Sequence, residues 1–221
     1  MAVGGSVKAR LDKAAVTLGQ ELFLIKANLD TYSLIGLNAS RIPSGKLFFG
    51  HPQQLSLVSV ALGLAKVFER EEEGGYELCS VSGVWRLAKG TPIEEISAAH
   101  VFAEKYGLKR DENWINEIDE VFAKQRPTIR RHLRLVTKAR NTRIAHLQQA
   151  APIKNLPSIA AFEELIAFAV HFHAFVNRAF LQTNAHPILT DRRVAHSLRT
   201  VLAMVGVKDV VTTFPATPRG K

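Results

Sequence analysis

The segment Pro127–Leu147, PTIRRHLRLVTKARNTRIAHL, decides how this chain is read. Its apolar residues Ile129, Leu133, Val136, Ile144 and Leu147 follow the period of one helix face. The position on that stripe between Val136 and Ile144 is Arg140. A guanidinium on a packing face must be hydrogen-bonded or paired, because burying it alone is very costly. Six residues on, His146 supplies the side chain whose ordinary pKa lies nearest neutrality. An always-charged phosphate ligand beside a proton shuttle suits chemistry on RNA.

Outward from this segment, helical patterns dominate. Val7 to Ala39 reads as one long amphipathic helix with Leu11, Leu18, Leu22, Ile25 and Leu29 on a face. Pro52 fits the first turn of a second helix ending at Arg70, where Glu71 to Gly75 make a turn. Shorter helices fit Ser80–Lys89, Pro92–Tyr106 and Trp114–Lys124, and Pro127 then opens the basic helix. Ser158 is an N-cap for a helix carrying Phe162, Leu165, Ile166, Ala169, Val176 and Phe180. The chain therefore reads as all-α, an antiparallel helical bundle. Residues 1–185 form the expected helical domain, and 186–221 a short helix and a Pro-containing tail.

Composition narrows the function classes. The chain has 221 residues, 47% of them hydrophobic, and a formal net charge of +9, which favours a polyanionic partner. No Asp or Glu lies between Val121 and Phe162, while Lys124, Arg126, Arg130, Arg131, Arg134, Lys138, Arg140 and Arg143 do. Such clustering is a stronger electrostatic footprint than net charge; its bland reading is a solvated helix face. The single cysteine, Cys79, forms no internal disulfide or zinc-cysteine cluster, so a cytoplasmic setting is expected. The first residues lack a signal-peptide pattern, and no run approaches the roughly 18 apolar residues of a membrane span. No membrane, metal or cofactor is expected.

Arg140-Asn141, four residues and His146 resemble the signature of HEPN domains, the higher-eukaryote and prokaryote nucleotide-binding superfamily. The surrounding Thr137–Leu147 text is similar to that superfamily's abortive-infection U-type branch, as are Phe48-Phe49, Phe68-Glu69-Arg70 and Cys79-Ser80-Val81. The resemblance covers most of the chain, from about Ala14 to Phe180. It implies a HEPN-type bundle with additional N-terminal helices, a homodimer, and a metal-independent endoribonuclease of phage defence or toxin–antitoxin function. Arg140 would contact the scissile phosphate, Asn141 would support it, and His146 would serve as the acid–base or phosphate-orienting group. An antitoxin partner is implied for some members. The tyrosine that receives a regulatory modification in one neighbouring family is replaced here by Gln148, which puts that mode in doubt.

The residue chemistry bears on the same reading. On a regular helix Arg140 and His146 point about 120° apart, so one copy does not close a pocket around a phosphate. A twofold dimer would bring two such pairs into one cleft. Arg130, Arg131, Arg134, Lys138 and Arg143 are the expected RNA contacts. The bland alternatives pair Arg140 with Glu163 or Glu164 and make His146 a helix C-terminal cap. His171 and His173 lie on different helix faces and are no metal pair, His173 reading as a core histidine. Trp85 and Trp114 read as core. The rival function is a non-catalytic HEPN dimer that holds RNA or a protein.

Overall fold

The computed structural model describes residues 6–69, 79–110, 112–139 and 157–212. Among these residues the architecture is helical throughout: α1 (Val7–Asn38), α2 (Lys46–Val67), α3 (Val81–Lys89), α4 (Ile96–Lys105), α5 (Trp114–Ala139), α6 (Ile159–Val176) and α7 (Arg193–Met204). A π turn, Asn177–Leu181, and a 3₁₀ turn, Ile188–Thr190, separate the last two helices.

The α1 helix starts where the Ser6 hydroxyl accepts a bond from the Ala9 amide at 3.2 Å. Its stripe of Leu11, Leu18, Leu22, Ile25 and Leu29 lies in the main core, and Leu34 and Ile35 lie in a smaller second cluster. Against it α2 packs closely, because Gly63 presents no side chain to Ile25. A Cβ there would stand 2.5 Å from Ile25 Cγ1. The second cluster also takes Phe49 from α2 and Leu202 from α7. Buried Asn38 ties residues beyond α7 to this end, exchanging two 2.9 Å hydrogen bonds with the backbone of Val211.

Two prolines depart from the sequence reading. Pro52 sits inside α2, which begins six residues earlier after the left-handed Gly45 (φ +74). The extra turn is held because Phe49 is buried between α1 and α7. Pro127 likewise does not open a helix. The expected break between Lys124 and Pro127 is absent, and α5 runs through it from Trp114 to Ala139. An interior proline costs about 3 kcal/mol by removing a donor and crowding the preceding turn. Ile118 and Val121 before it and Val136 after it are each fully buried, so the same core anchors both halves. Burial of large aliphatic side chains, about 1.5–3 kcal/mol each, outweighs that cost.

The α6 helix carries the aromatic core. Ser158 caps it through the Ala161 amide at 3.1 Å, and Phe162, Phe168, Phe172 and Phe175 are buried along it. The π turn then leaves the Ala179 carbonyl to accept from the amides of Glu94 and Glu95 at 2.7 and 3.1 Å, which fixes the approach to α4. Ile159–Leu181 spans 23 residues and is long and apolar enough by composition to cross a membrane. With 61% of its most apolar window buried inside the protein, it fits the core helix of a packed fold. Glu163, Glu164 and Arg178 keep its uninterrupted apolar run short of a span.

Gly63 gives a direct test of the α1–α2 contact. Gly63→Ala gains about 1 kcal/mol of helix propensity, but overpacking against Ile25 costs about 1–3 kcal/mol. Net destabilisation is expected in urea unfolding, and a rise in midpoint would show that α1 yields there.

Candidate nucleic-acid interface

At its start α5 is capped by Asn113, whose side-chain oxygen accepts from the Ile115 amide at 3.1 Å. Its inner face carries Ile118, Val121, His132 and Val136, all buried. Phe122 holds α5 to α6 through rings 5.7 Å from Phe168 and 5.5 Å from Phe172. On the outer face Arg126, Arg130, Arg134 and Lys138 recur every four residues as an exposed ridge, with Arg131 beside it. Lys124 is not part of this ridge. Its ammonium donates to the carbonyls of Tyr106 and Gly107 at 2.7 and 3.2 Å, closing the end of α4.

Among the described residues no carboxylate pairs with Arg126, Arg130, Arg131 or Arg134. Like charges four apart on a helix oppose it by roughly 0.2–0.5 kcal/mol per pair. The ridge repeats that arrangement from Arg126 to Lys138. Core burial on the opposite face tolerates the repulsion, and a polyanion would relieve it.

The motif residues Arg140, Asn141, Arg143 and His146 lie outside the described residues; α5 is described up to Ala139. Both carboxylates offered as alternative partners of Arg140 are placed on α6, and both residues are exposed. Glu164 accepts from His132 Nε2 at 2.8 Å across the α5–α6 contact. His132 was not singled out in the sequence, although it sits three and four residues from Ile129 and Val136 on the stripe. It is 7% exposed, and its Nδ1 has no partner among the described residues.

Beside the ridge, α3 and α5 enclose a hollow of about 590 Å³. Trp85, Phe122 and Phe168 wall it, Ile129 and Leu133 continue the wall along α5, and Arg126 and Arg130 stand at its edge. On the far edge Asp119 accepts from Trp85 Nε1 and Lys89 Nζ, both at 2.9 Å. Lys89 lies 5.2 Å from the Trp85 ring centre. The sequence held a signal for this hollow in Phe122, Arg126, Ile129, Arg130 and Leu133, which share one helix face. It was hidden because the expected break at Pro127 splits that face in two.

Of the remaining sequence candidates, Trp85 and His173 are buried, and Trp114 and His171 are partly buried. Trp85 and Trp114 pack edge to face at 6.2 Å. His173 is buried and bonded through Nε2 to the Ala15 carbonyl at 3.0 Å, and burial lowers its pKa. The Tyr106 hydroxyl donates to His171 Nδ1 at 3.0 Å. Burial, with a smaller contribution from Lys105, lowers the His171 pKa to about 4. Among the described residues no group of three or more His, Cys, Asp or Glu side chains could hold a metal ion.

Fold and surface together define an all-α protein with a one-sided cationic helix. No family model matches the chain, and comparisons with curated proteins and with solved structures give no match.

His171 supplies a pH test. Its folded pKa lies below the ordinary 6.5, so the unfolded chain takes up the proton first. The stability it contributes is complete above pH 6.5 and is lost as pH falls through about 4. Imidazole NMR should place its titration near pH 4. A midpoint near 6.5 would show that the Tyr106 contact leaves the ring open to water.

Proposed function

We infer that the chain is a metal-independent endoribonuclease of the HEPN type, a cytoplasmic homodimer acting in phage defence or as the toxin of a toxin–antitoxin pair. The observation that carries this reading is the exposed cationic ridge of α5, which runs toward the Arg140–His146 motif. It offers a track for a phosphate backbone on the same segment that holds a phosphate ligand and a proton shuttle. In the proposed step the 2′-oxygen loses its proton and bonds to the adjacent phosphorus. The 5′-oxygen bond breaks, and the leaving oxygen takes a proton, giving a 2′,3′-cyclic phosphate and a 5′-hydroxyl. Arg140 offsets the charge developing on phosphorus, Asn141 supports it, and Arg143 takes a neighbouring phosphate. His146 from each copy supplies acid and base, each positioned group contributing about 10²–10⁴-fold.

Purified wild-type, Arg140→Ala and His146→Ala proteins, incubated with single-stranded RNA and a chelator, test the chemistry. Cleavage by the wild type alone is expected, and persistent cleavage by His146→Ala would remove that residue from the mechanism.

The second reading, a non-catalytic RNA-binding dimer, is favoured by the same ridge, because binding needs no His146. In either case, replacing Arg131 and Arg134 with glutamine should weaken RNA binding. The slope of log affinity against log salt should become shallower by about 0.7 for each phosphate of a single strand that the protein no longer neutralises. An unchanged slope would mean that RNA does not track α5.

A further inference from the structure

We propose that the hollow between α3 and α5 receives one unstacked base of a single-stranded RNA, with that nucleotide's phosphate held by Arg126 and Arg130. The inference rests on the reading that RNA runs along α5. Its volume of about 590 Å³ lies within the range of small-molecule sites. The lining combines two chemistries that a nucleotide requires together.

The walls are aromatic. Trp85 and Phe122 stand 5.9 Å apart at a tilt of 37°, and Phe168 closes the floor 5.7 Å from Phe122. Trp85 and Phe168 are buried in that packing, 7% and 3% exposed, so the partly exposed ring of Phe122 is the surface left to a base, whose faces stack on aromatics whatever its identity. The edge is cationic and planar. Arg126 and Arg130 lie one helical turn apart, exposed, and without a carboxylate partner among the described residues. Two guanidiniums can fork onto one phosphate in a way lysines cannot. The acid at the rim, Asp119, does not cancel them, because its two oxygens are engaged by Trp85 and Lys89. Val81, Ile129 and Leu133 would also serve an acyl chain, but its carboxylate needs only one cation. The arginine pair favours the nucleotide, whose phosphate takes both guanidiniums.

The geometry also divides the ridge in two, its first turn edging the pocket and its second lying beyond it. Arg131 is turned about 100° around the axis from Arg130, and neither Arg131 nor Arg134 lines the hollow among the described residues. Charge loss at the two pairs of arginines should therefore have different consequences.

The test uses the full chain and a 2′-O-methyl hexa-uridylate carrying one 2-aminopurine, a strand that 2′-hydroxyl attack cannot cut and whose emission falls when the 2-aminopurine stacks on an aromatic ring. Quenching on binding is expected with the wild type. Arg126→Gln with Arg130→Gln should lower affinity by about 10-fold or more and abolish the quenching. Arg131→Gln with Arg134→Gln removes the same charge, and it should weaken binding while leaving quenching at saturation intact. Ser82→Leu, an exposed rim position whose bulk enters the hollow without adding an aromatic ring, should reduce quenching with circular dichroism unchanged.

RNA binding without quenching, or equal effects of the two double variants, would overturn the pocket and leave RNA binding along α5 standing. Quenching in a protein that never cleaves RNA would support the pocket and remove the nuclease. Laurate displacing the probe at lower concentration than adenosine monophosphate would reassign the hollow to an acyl chain and overturn the proposal.

Discussion

The arrangement depends on burying one face of α1. Over its 32 residues this helix meets the main core through Leu11 to Leu29 and the second cluster through Leu34 and Ile35. No other element enters both clusters so deeply. Its buried face is apolar from Leu11 to Leu29 and again at Leu34 and Ile35, and α2, α3, α6 and α7 take positions against it. Fully buried aliphatic side chains stabilise by about 1.5–3 kcal/mol each. That supply lets the remaining helices carry features that oppose their own formation.

The α5 helix is the main beneficiary. It contains a proline in its interior and repeats like charges every fourth residue. Either feature would weaken an isolated helix of this composition. Both persist because the inner face meets the aromatic core of α6, and the His132–Glu164 bond spans the same contact. The result is one continuous helix with cations on one side and a hollow at their edge. A helix already formed suits an elongated anion, because little backbone ordering remains to be done on binding.

Much of this was legible in the residues. The α1 face, the cap at Ser158, and the aliphatic and aromatic stripe of α6 follow from local pattern and hydrogen-bonding chemistry. The prolines misled because their effect is local while the forces overriding it come from distant residues. Pro52 is outweighed by the burial of Phe49 against Leu202, and Pro127 by core contacts on both sides of it. The π turn at Asn177–Leu181 left no local mark, since the freed Ala179 carbonyl finds its donors at Glu94 and Glu95. For the candidate site, the cationic ridge could be read directly, because charge spacing on a helix is a property of one segment. The hollow could not, because Trp85 reaches it from α3 and Phe168 from α6.

The sequence by itself determined the helical class, the excess of positive charge and its concentration after Val121, and the Arg140–His146 spacing. Each depends on residues close together along the chain. Only the tertiary structure decided that α5 is one helix, that His132 turns inward to Glu164, and that Lys124 leaves the ridge to close α4. It also decided that the central apolar helix is wrapped by its neighbours. These outcomes turn on which distant surfaces meet, and the energy of such meetings is not written in the period of any single segment.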